Sequence, residues 1–309
     1  MILYIIIVLL MGLVTPIQTA ANARLRVCVG YAYVSTLVSF AVSALALVAV
    51  SLLVGTPIVP TEQQMQQVPW WGWTGGIIAL FTITANILLF KAIGQLQAMV
   101  LPLFGQLLFS LAIDHYGLFS ARVIPLSLLR FVGMAIVFGG VFLVAVLPNL
   151  RRWQAGTETC IWHQTAWQLL GVFSGILQAS IGAIYGRLGT ILLSAMQATT
   201  VSFIIAVAVI LLICLLTGKI NTVGKAFRRT NPWWMWLGGI IGATSVFVHS
   251  LTIPIIGVGL FSVALLLGQL TLSLGMEHHG WLGAPRKSVS PAQLFGLVLM
   301  MLGIVMIRT

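Results

Sequence analysis

The sequence predicts an all-α membrane protein with ten transmembrane helices arranged as two inverted five-helix repeats. Three observations carry that prediction: apolar runs long enough to cross a bilayer, a scarcity of charge, and a self-similarity at a constant shift of 163 residues.

Of the 309 residues, 60% are hydrophobic and 6% are charged, where soluble domains carry roughly 25% charge. A soluble chain of this length must coat itself with charge, and this one cannot. Val34–Val54 and Val201–Leu216 contain no charged residue, and about 20 apolar residues in a helix cross the hydrocarbon core. In lipid the backbone must satisfy its own hydrogen bonds, which leaves helices or a closed barrel. Barrel strands alternate polar and apolar residues; these runs do not alternate, so they read as helices.

Hydropathy gives spans at 2–21, 33–54, 70–90, 95–113, 128–147, 166–184, 191–216, 233–253, 258–276 and 291–307. The expected organisation is a first repeat over 1–147, a linker loop over 148–165 and a second repeat over 166–309. Ala21-Asn22-Ala23 resembles a signal-peptide cleavage site. No positive residue precedes the first apolar run, however, and that run has a counterpart in mid-chain, so a retained helix is expected.

The 163-residue shift needs no gap. Pro69-Trp70-Trp71 falls on Pro232-Trp233-Trp234, Gly75-Gly76 on Gly238-Gly239, and Gly105-Gln106-Leu107 on Gly268-Gln269-Leu270. Asp114-His115 falls on Glu277-His278, and Gly133 and Gly140 fall on Gly296 and Gly303. One register held this far marks an internal repeat. Five spans per repeat is an odd number, so the second repeat enters from the opposite face, as in the inverted repeats of transporters.

The net charge of +11 comes from fifteen Lys and Arg scattered between spans, with no basic stripe that would suggest nucleic acid. Eleven fall in the loops on one side of the membrane and four on the other. The positive-inside rule then places both termini outside the cytoplasm. Cys28, Cys160 and Cys214 are few, far apart and odd in number, so neither a disulfide framework nor a thiolate metal site follows.

Several of these residues also form a family pattern. Pro16-x-Gln18-x₃-Asn22-x-Arg24-Leu25 opens the first repeat, and Leu107-x-Phe109-Ser110-Leu111-x-x-Asp114-His115-x-Gly117-Leu118-Phe119 closes its fourth span. Pro125-x-Ser127 then leads to Arg130, Gly133 and Gly140. Together these resemble the YdcZ family of bacterial inner-membrane exporters, within the drug/metabolite transporter superfamily. The usual unit of that family is a single five-helix half, so the chain resembles two units fused. The resemblance implies a drug/metabolite transporter-like fold and a multi-pass protein of the inner membrane. It covers nearly the whole chain and is sharper in the first repeat. In the second, Tyr185 stands where the first has Asn22, Ala179 for Pro16 and Ser288 for Pro125. Fused members of the superfamily are drawn with both termini cytoplasmic, against the charge count; the charges are followed here.

Polar groups inside a span are costly and need a reason. Gln18 and Gln178 lie in the first span of each repeat, three positions out of register. Asn86 matches His249, and Gln106 matches Gln269. Together with Asn22 they are the candidate substrate-binding set, lining a central cavity; the alternative for any one of them is an interhelical hydrogen bond, worth about 0.6–2 kcal/mol. Asp114-His115 and Glu277-His278-His279 end the fourth and ninth spans, and inversion would put them on opposite faces. A carboxylate beside a histidine suits gating or proton coupling, while the structural alternative is a helix end turned by Gly117 or Gly280. No third ligand lies at a sensible spacing, so no metal is expected, and no cofactor either.

Gly133, Gly140, Gly296 and Gly303 put two small residues on one stripe of the fifth and tenth spans, where small residues let membrane helices approach closely. The tryptophans after Pro69 and Pro232 read as an interfacial aromatic belt. Pro16 and Pro102 interrupt spans and Pro254 follows the end of another, where they can bend helices toward a midplane site. No Asp or Glu lies at mid-span. A neutral, zwitterionic or weakly polar metabolite therefore fits better than a bulky permanent cation.

GxxxxGK[ST] does not occur, so nucleotide drive is not expected. The expectation is a secondary transporter, an exporter by resemblance, working by alternating access as a monomer. Its partners would be a small solute, membrane lipid and a coupling proton or ion, and no nucleic acid. Two alternatives stay open: a passive channel or pore, and an intramembrane enzyme. Against the enzyme, the two acid–histidine groups would lie on opposite faces and could not converge.

Overall fold

A computed structural model describes residues 1–92, 94–147, 161–228, 231–283 and 289–308. The linker expected over 148–165 falls mostly outside them, as do Arg151, Arg152, Cys160, Arg229, Arg286 and Lys287. Among the described residues the protein is helical, with no strand.

Among the described residues, ten helices occupy the positions of the ten apolar spans: α1 (Ile2–Val29), α2 (Ala32–Val54), α4 (Gly75–Ala92), α5 (Gly94–Tyr116), α6 (Leu128–Val141), α7 (Ile161–Ile191), α8 (Ala195–Leu216), α9 (Leu237–Ile256), α10 (Val258–His279) and α11 (Pro291–Arg308). A short helix, α3 (Glu62–Gln67), lies between α2 and α4. Among the described residues, six segments are long and apolar enough to cross a membrane: Ile2–Val29, Ala32–Val54, Thr165–Ile191, Ala195–Leu216, Trp233–Ile256 and Val258–Met276.

α1 and α7 run past the expected span ends at 21 and 184, because the hydropathy signal stops at the first cation while the helix does not. Arg24 and Arg26 therefore lie within α1, and Arg187 within α7. A long cationic side chain near a helix end can keep its stem in the apolar layer and its head in the interface. The three prolines are likewise held inside helices: Pro16 in α1, Pro102 in α5 and Pro254 in α9.

Start and stop signals repeat with the sequence. Ser127 caps α6 by accepting the Arg130 N–H (3.2 Å), and its equivalent Ser290 caps α11 by accepting the Gln293 N–H (3.3 Å). Each hydroxyl satisfies one of the orphan donors of a helix start. Gly117 (φ +65°) ends α5, and its equivalent Gly280 (φ +70°) ends α10. Only glycine takes this left-handed conformation without steric cost. The two tryptophan clusters form 3₁₀ turns, Trp70–Trp73 and Trp233–Trp236, that lead into α4 and α9. Trp70 is 81% exposed and Trp233 74%.

The chain divides into two compact units. The first gathers Met1–Leu13, Ala85–Ser180 and Ile256–Thr309; the second gathers Val14–Thr84 and Ile181–Ile255. Both draw on the two sequence repeats.

Candidate functional site

In the first unit, α5 packs on the N-terminal part of α7, and the start of α1 packs on α10. Neither pair could approach so closely if glycine carried a side chain. A methyl group on Gly175 would strike the Pro102 carbonyl and the Gln106 amide nitrogen, and one on Gly12 would strike the Leu265 carbonyl and Gly268. Gly105 faces the Val172 carbonyl in the same way, and Gly268 faces the Leu9 carbonyl. Each contact is the other's image under the 163-residue shift. Gln106 and Gln269 sit beside these glycines, one on α5 and one on α10, and both are half-buried.

The four glycines of the fifth and tenth spans meet in the same unit. Gly140 stacks on Gly296, where an added methyl would lie 2.6 Å from the Gly296 carbonyl oxygen. At Gly133 the nearest carbonyl is that of Gly303, at 3.1 Å. Because 133 pairs with 303 and 140 with 296, α6 and α11 run antiparallel.

Asp114 is 4% exposed at the end of α5. Its carboxylate accepts the Val258 N–H (2.8 Å) at one oxygen and the Gly259 N–H (2.9 Å) at the other. These are the first two amides of α10, so the side chain of one helix caps the start of another, where the helix dipole favours negative charge. The segment after α5 folds back on the same residue, with the Ile124 N–H donating to the Asp114 carbonyl (2.7 Å). Arg130, on α6, acts on the carboxylate electrostatically. His115 points the other way: it is exposed, and its Nδ1 accepts the Leu126 N–H (3.2 Å). Asp114 and His115 thus do not converge on one ligand. His278 is exposed at the end of α10, with its ring against that of His279. The side chains of Glu277 and Asn86 lie outside the described set. Gln178 is exposed on α7.

The second unit holds Gln18, Asn22 and His249. The Gln18 amide lies over Gly242, whose missing Cβ would come 2.9 Å from Nε2. One turn on, the Asn22 side-chain oxygen is pressed against Gly238. Tyr185, which replaces Asn22 in the second repeat, fills the equivalent place over Gly75. Ser35 Oγ donates to the Asn22 carbonyl (3.1 Å), and Ser43 Oγ donates to the Gly239 carbonyl (2.6 Å). His249 Nδ1 lies 2.7 Å from the Ser245 carbonyl, with the ring edge toward Gly182. Among the described residues, four buried side-chain atoms have no hydrogen-bond partner: Asn22 Oδ1, Arg187 Nε, Gln197 Nε2 and Ser250 Oγ. All four belong to this unit.

Sequence reasoning missed the hydroxyl groups of α2 and α8. Ser35, Ser39, Ser43 and Ser51 are buried on α2, and Thr199, Thr200 and Ser202 on α8. Ser51 and Thr200 share a hydrogen bond of 3.3 Å between the two helices. The four-residue spacing of Ser35, Ser39 and Ser43 was the available signal, since it puts all three on one helix face. Among the described residues no cluster of three or more His, Cys, Asp or Glu could hold a metal.

The family described as "Putative inner membrane exporter, YdcZ" matches the sequence twice, over residues 3–143 and 166–306. No curated protein matches the chain. A solved structure described only as "Crystal structure of protein" superposes with a TM-score of 0.69 at 14% identity, covering 98% of this chain and 95% of its own. That likeness is one of fold.

Proposed function

We propose, from the premise that this chain belongs to the YdcZ family of inner membrane exporters, that it is a secondary transporter moving a small neutral, zwitterionic or weakly polar metabolite by alternating access. Membership makes it a multi-pass transport protein of the inner membrane, and an exporter family is not an enzyme class. In the proposed architecture all ten long helices cross the membrane, and the halves 1–147 and 166–309 are inverted about a two-fold axis in its plane.

One observation carries this reading: equivalent glycines make reciprocal contacts. Gly12 on Leu265 mirrors Gly175 on Pro102, and Gly76 on the Ser202 carbonyl mirrors Gly239 on the Ser39 carbonyl. Reciprocity of this kind is the signature of a two-fold relation, in which residue i meets j and j's counterpart meets i's. The antiparallel course of the equivalent helices α6 and α11 supports inversion in particular. Inverted halves can exchange conformations, which is the basis of alternating access.

In this reading Gln106 and Gln269 contact the solute, supported by their equivalence, their partial burial and their places beside close-packed glycines. Gln18, Asn22, Asn86, Gln178 and His249 complete the candidate set. Within the second unit, the unpartnered polar atoms would be met by water, since a buried polar atom left unpaired costs about 1–3 kcal/mol. Asp114 acts as a latch, its release freeing the first turn of α10, and Glu277 is its counterpart on the opposite face.

Proteoliposome uptake tests the reading once a solute has been found by screening for ligands that stabilise the purified protein. Wild type should show saturable, gradient-dependent transport. Gln106→Ala with Gln269→Ala should abolish solute binding while leaving the unfolding transition within about 1 kcal/mol of wild type. Undiminished transport in that double variant would remove the proposed site, and ohmic single-channel current from wild type would replace the transporter with a pore.

A further inference from the structure

The two loops that follow the second helix of each repeat are the same length but differ in charge. Gly55–Pro69 holds no cation and one acid, Glu62. Its equivalent, Gly218–Pro232, holds Lys219, Lys225, Arg228 and Arg229 and no acid. The first loop is tied down: Gln64 Nε2 donates to the Leu192 carbonyl (3.0 Å) at the end of α7, and Val68 packs with Leu188 and Leu192. The second is built differently. Ile220–Phe227 forms a 3₁₀ helix that buries Ala226, while Val223 packs against the apolar cluster that includes Leu25, Val29 and Met235. The opposite side presents Lys225, Arg228 and Phe227, the last 68% exposed. Lys219 Nζ sits 5.5 Å from the Tyr31 ring centroid, and exposed Arg24 lies in the last two turns of α1, which ends one residue before Gly30-Tyr31. Trp233, 74% exposed, adds a second aromatic to this end of the unit. Residues 22–37 and 207–238 contain no carboxylate.

We infer that this end of the second unit is a docking surface for anionic phospholipid headgroups, made of Arg24, Lys219, Lys225 and Arg228 with Phe227 and Trp233 as apolar anchors. Charge complementarity selects the occupant. Four exposed cations with no acid in the same segments favour an external anion, and Phe227, set against Trp236 (5.1 Å between ring centroids) yet 68% exposed, presents an apolar face beside them. An anionic lipid surface matches both, whereas a soluble anion matches only the first. Each cation near such a surface contributes about 1 kcal/mol. The surface rests on family membership in the membrane and not on the identity of the solute.

The test is binding of phosphatidylglycerol and of phosphatidylcholine to the purified full-length chain, read by native mass spectrometry and by the shift in unfolding temperature. Wild type should prefer phosphatidylglycerol. The variant K219Q/K225Q/R228Q should lose affinity for it about fivefold per charge, on the order of a hundredfold in all. K219R/K225R, which keeps the charge, should match wild type, as should R122Q, which removes an exposed cation elsewhere. If the neutralised variant does not fold, wild type itself decides: ionic strength of about 1 M, where the screening length is about 3 Å, should erase the preference. Equal binding of the two lipids, retention of the preference by the neutralised variant or at high salt, its loss in either control variant, or its displacement by inorganic phosphate would each overturn the inference.

Discussion

Asp114→Ala is the substitution with the largest predicted effect outside the helix–helix glycines. The carboxylate accepts two N–H groups, from Val258 at 2.8 Å and Gly259 at 2.9 Å, and is 4% exposed. A hydrogen bond to a charged group contributes about 1.5–3 kcal/mol, so two give about 3–6 kcal/mol gross. Relief from burying the carboxylate returns part of this, leaving an expected net loss of about 2–4 kcal/mol. Asp114→Asn keeps one acceptor and presents an NH₂ to the other amide, so it should lose about half as much. The site also predicts a coupling. An added methyl on Gly259 would come 2.9 Å from Asp114 Oδ2, so Gly259→Ala pushes the carboxylate off its donors. A double-mutant cycle between Asp114→Ala and Gly259→Ala, read by equilibrium unfolding in mixed micelles, should show an interaction of about 1–3 kcal/mol. If Asp114→Ala stays within about 0.5 kcal/mol of wild type, the range of an ordinary surface change, the carboxylate does not cap α10 and the latch proposed for it has no basis.

Three further outcomes follow from the packing and the charges. Gly140→Leu should destabilise the α6–α11 pair by about 1–3 kcal/mol through overpacking, whereas Gly139→Leu, at a position with nothing within 4 Å of an added Cβ, should be neutral in the same unfolding assay. Gln64→Ala should cost about 1 kcal/mol by leaving the Leu192 carbonyl without its donor, and limited proteolysis should then cut the loop between α2 and α4 faster. A reporter fused after Thr309 should read as outside the cytoplasm, and a cytoplasmic signal would overturn the orientation drawn from the loop charges.

The helices were legible in the sequence because membrane spans are written in composition, and the repeat because one register holds without a gap. The span ends were less so. Hydropathy falls at Arg24 and Arg187, but backbone geometry ends α1 at Gly30 (φ +88°), not at the first charge. The role of Asp114 was out of reach for a different reason. Its partners, Val258 and Gly259, lie more than 140 residues away and contribute backbone N–H groups, which leave no trace in side-chain chemistry. Asn22 was visible as a motif residue, yet its burial against Gly238 depends on a glycine 216 positions later, whose significance appears only when the helices are packed. The serine face of α2 could have been read from its spacing, but in an apolar run small hydroxyl residues look like filler until they are seen to bond across helices, as Ser51 does with Thr200.

The way the repeats share the two compact units bears on why they share one chain. A five-helix half by itself contains Gly105 but not the Val172 carbonyl that faces it, and Gly133 and Gly140 but not Gly303 and Gly296. In the second unit it holds Asn22 but not the Gly238 beneath it. These close approaches join one half to the other, even though Gly186 and Gly189 pack on Ile253 and Ser250 of their own half, so neither half can complete the packing of either unit. Two separate halves could do so only by association, at a cost in translational and rotational freedom. A covalent link turns that association into an intramolecular step at high effective concentration. It also frees the halves to diverge, because each now occupies a fixed place. The loop held to α7 by Gln64, with Glu62 as its one charge, and the cationic loop carrying Lys219, Lys225 and Arg228 are what such divergence looks like: one length, one position in the repeat, and two different surfaces.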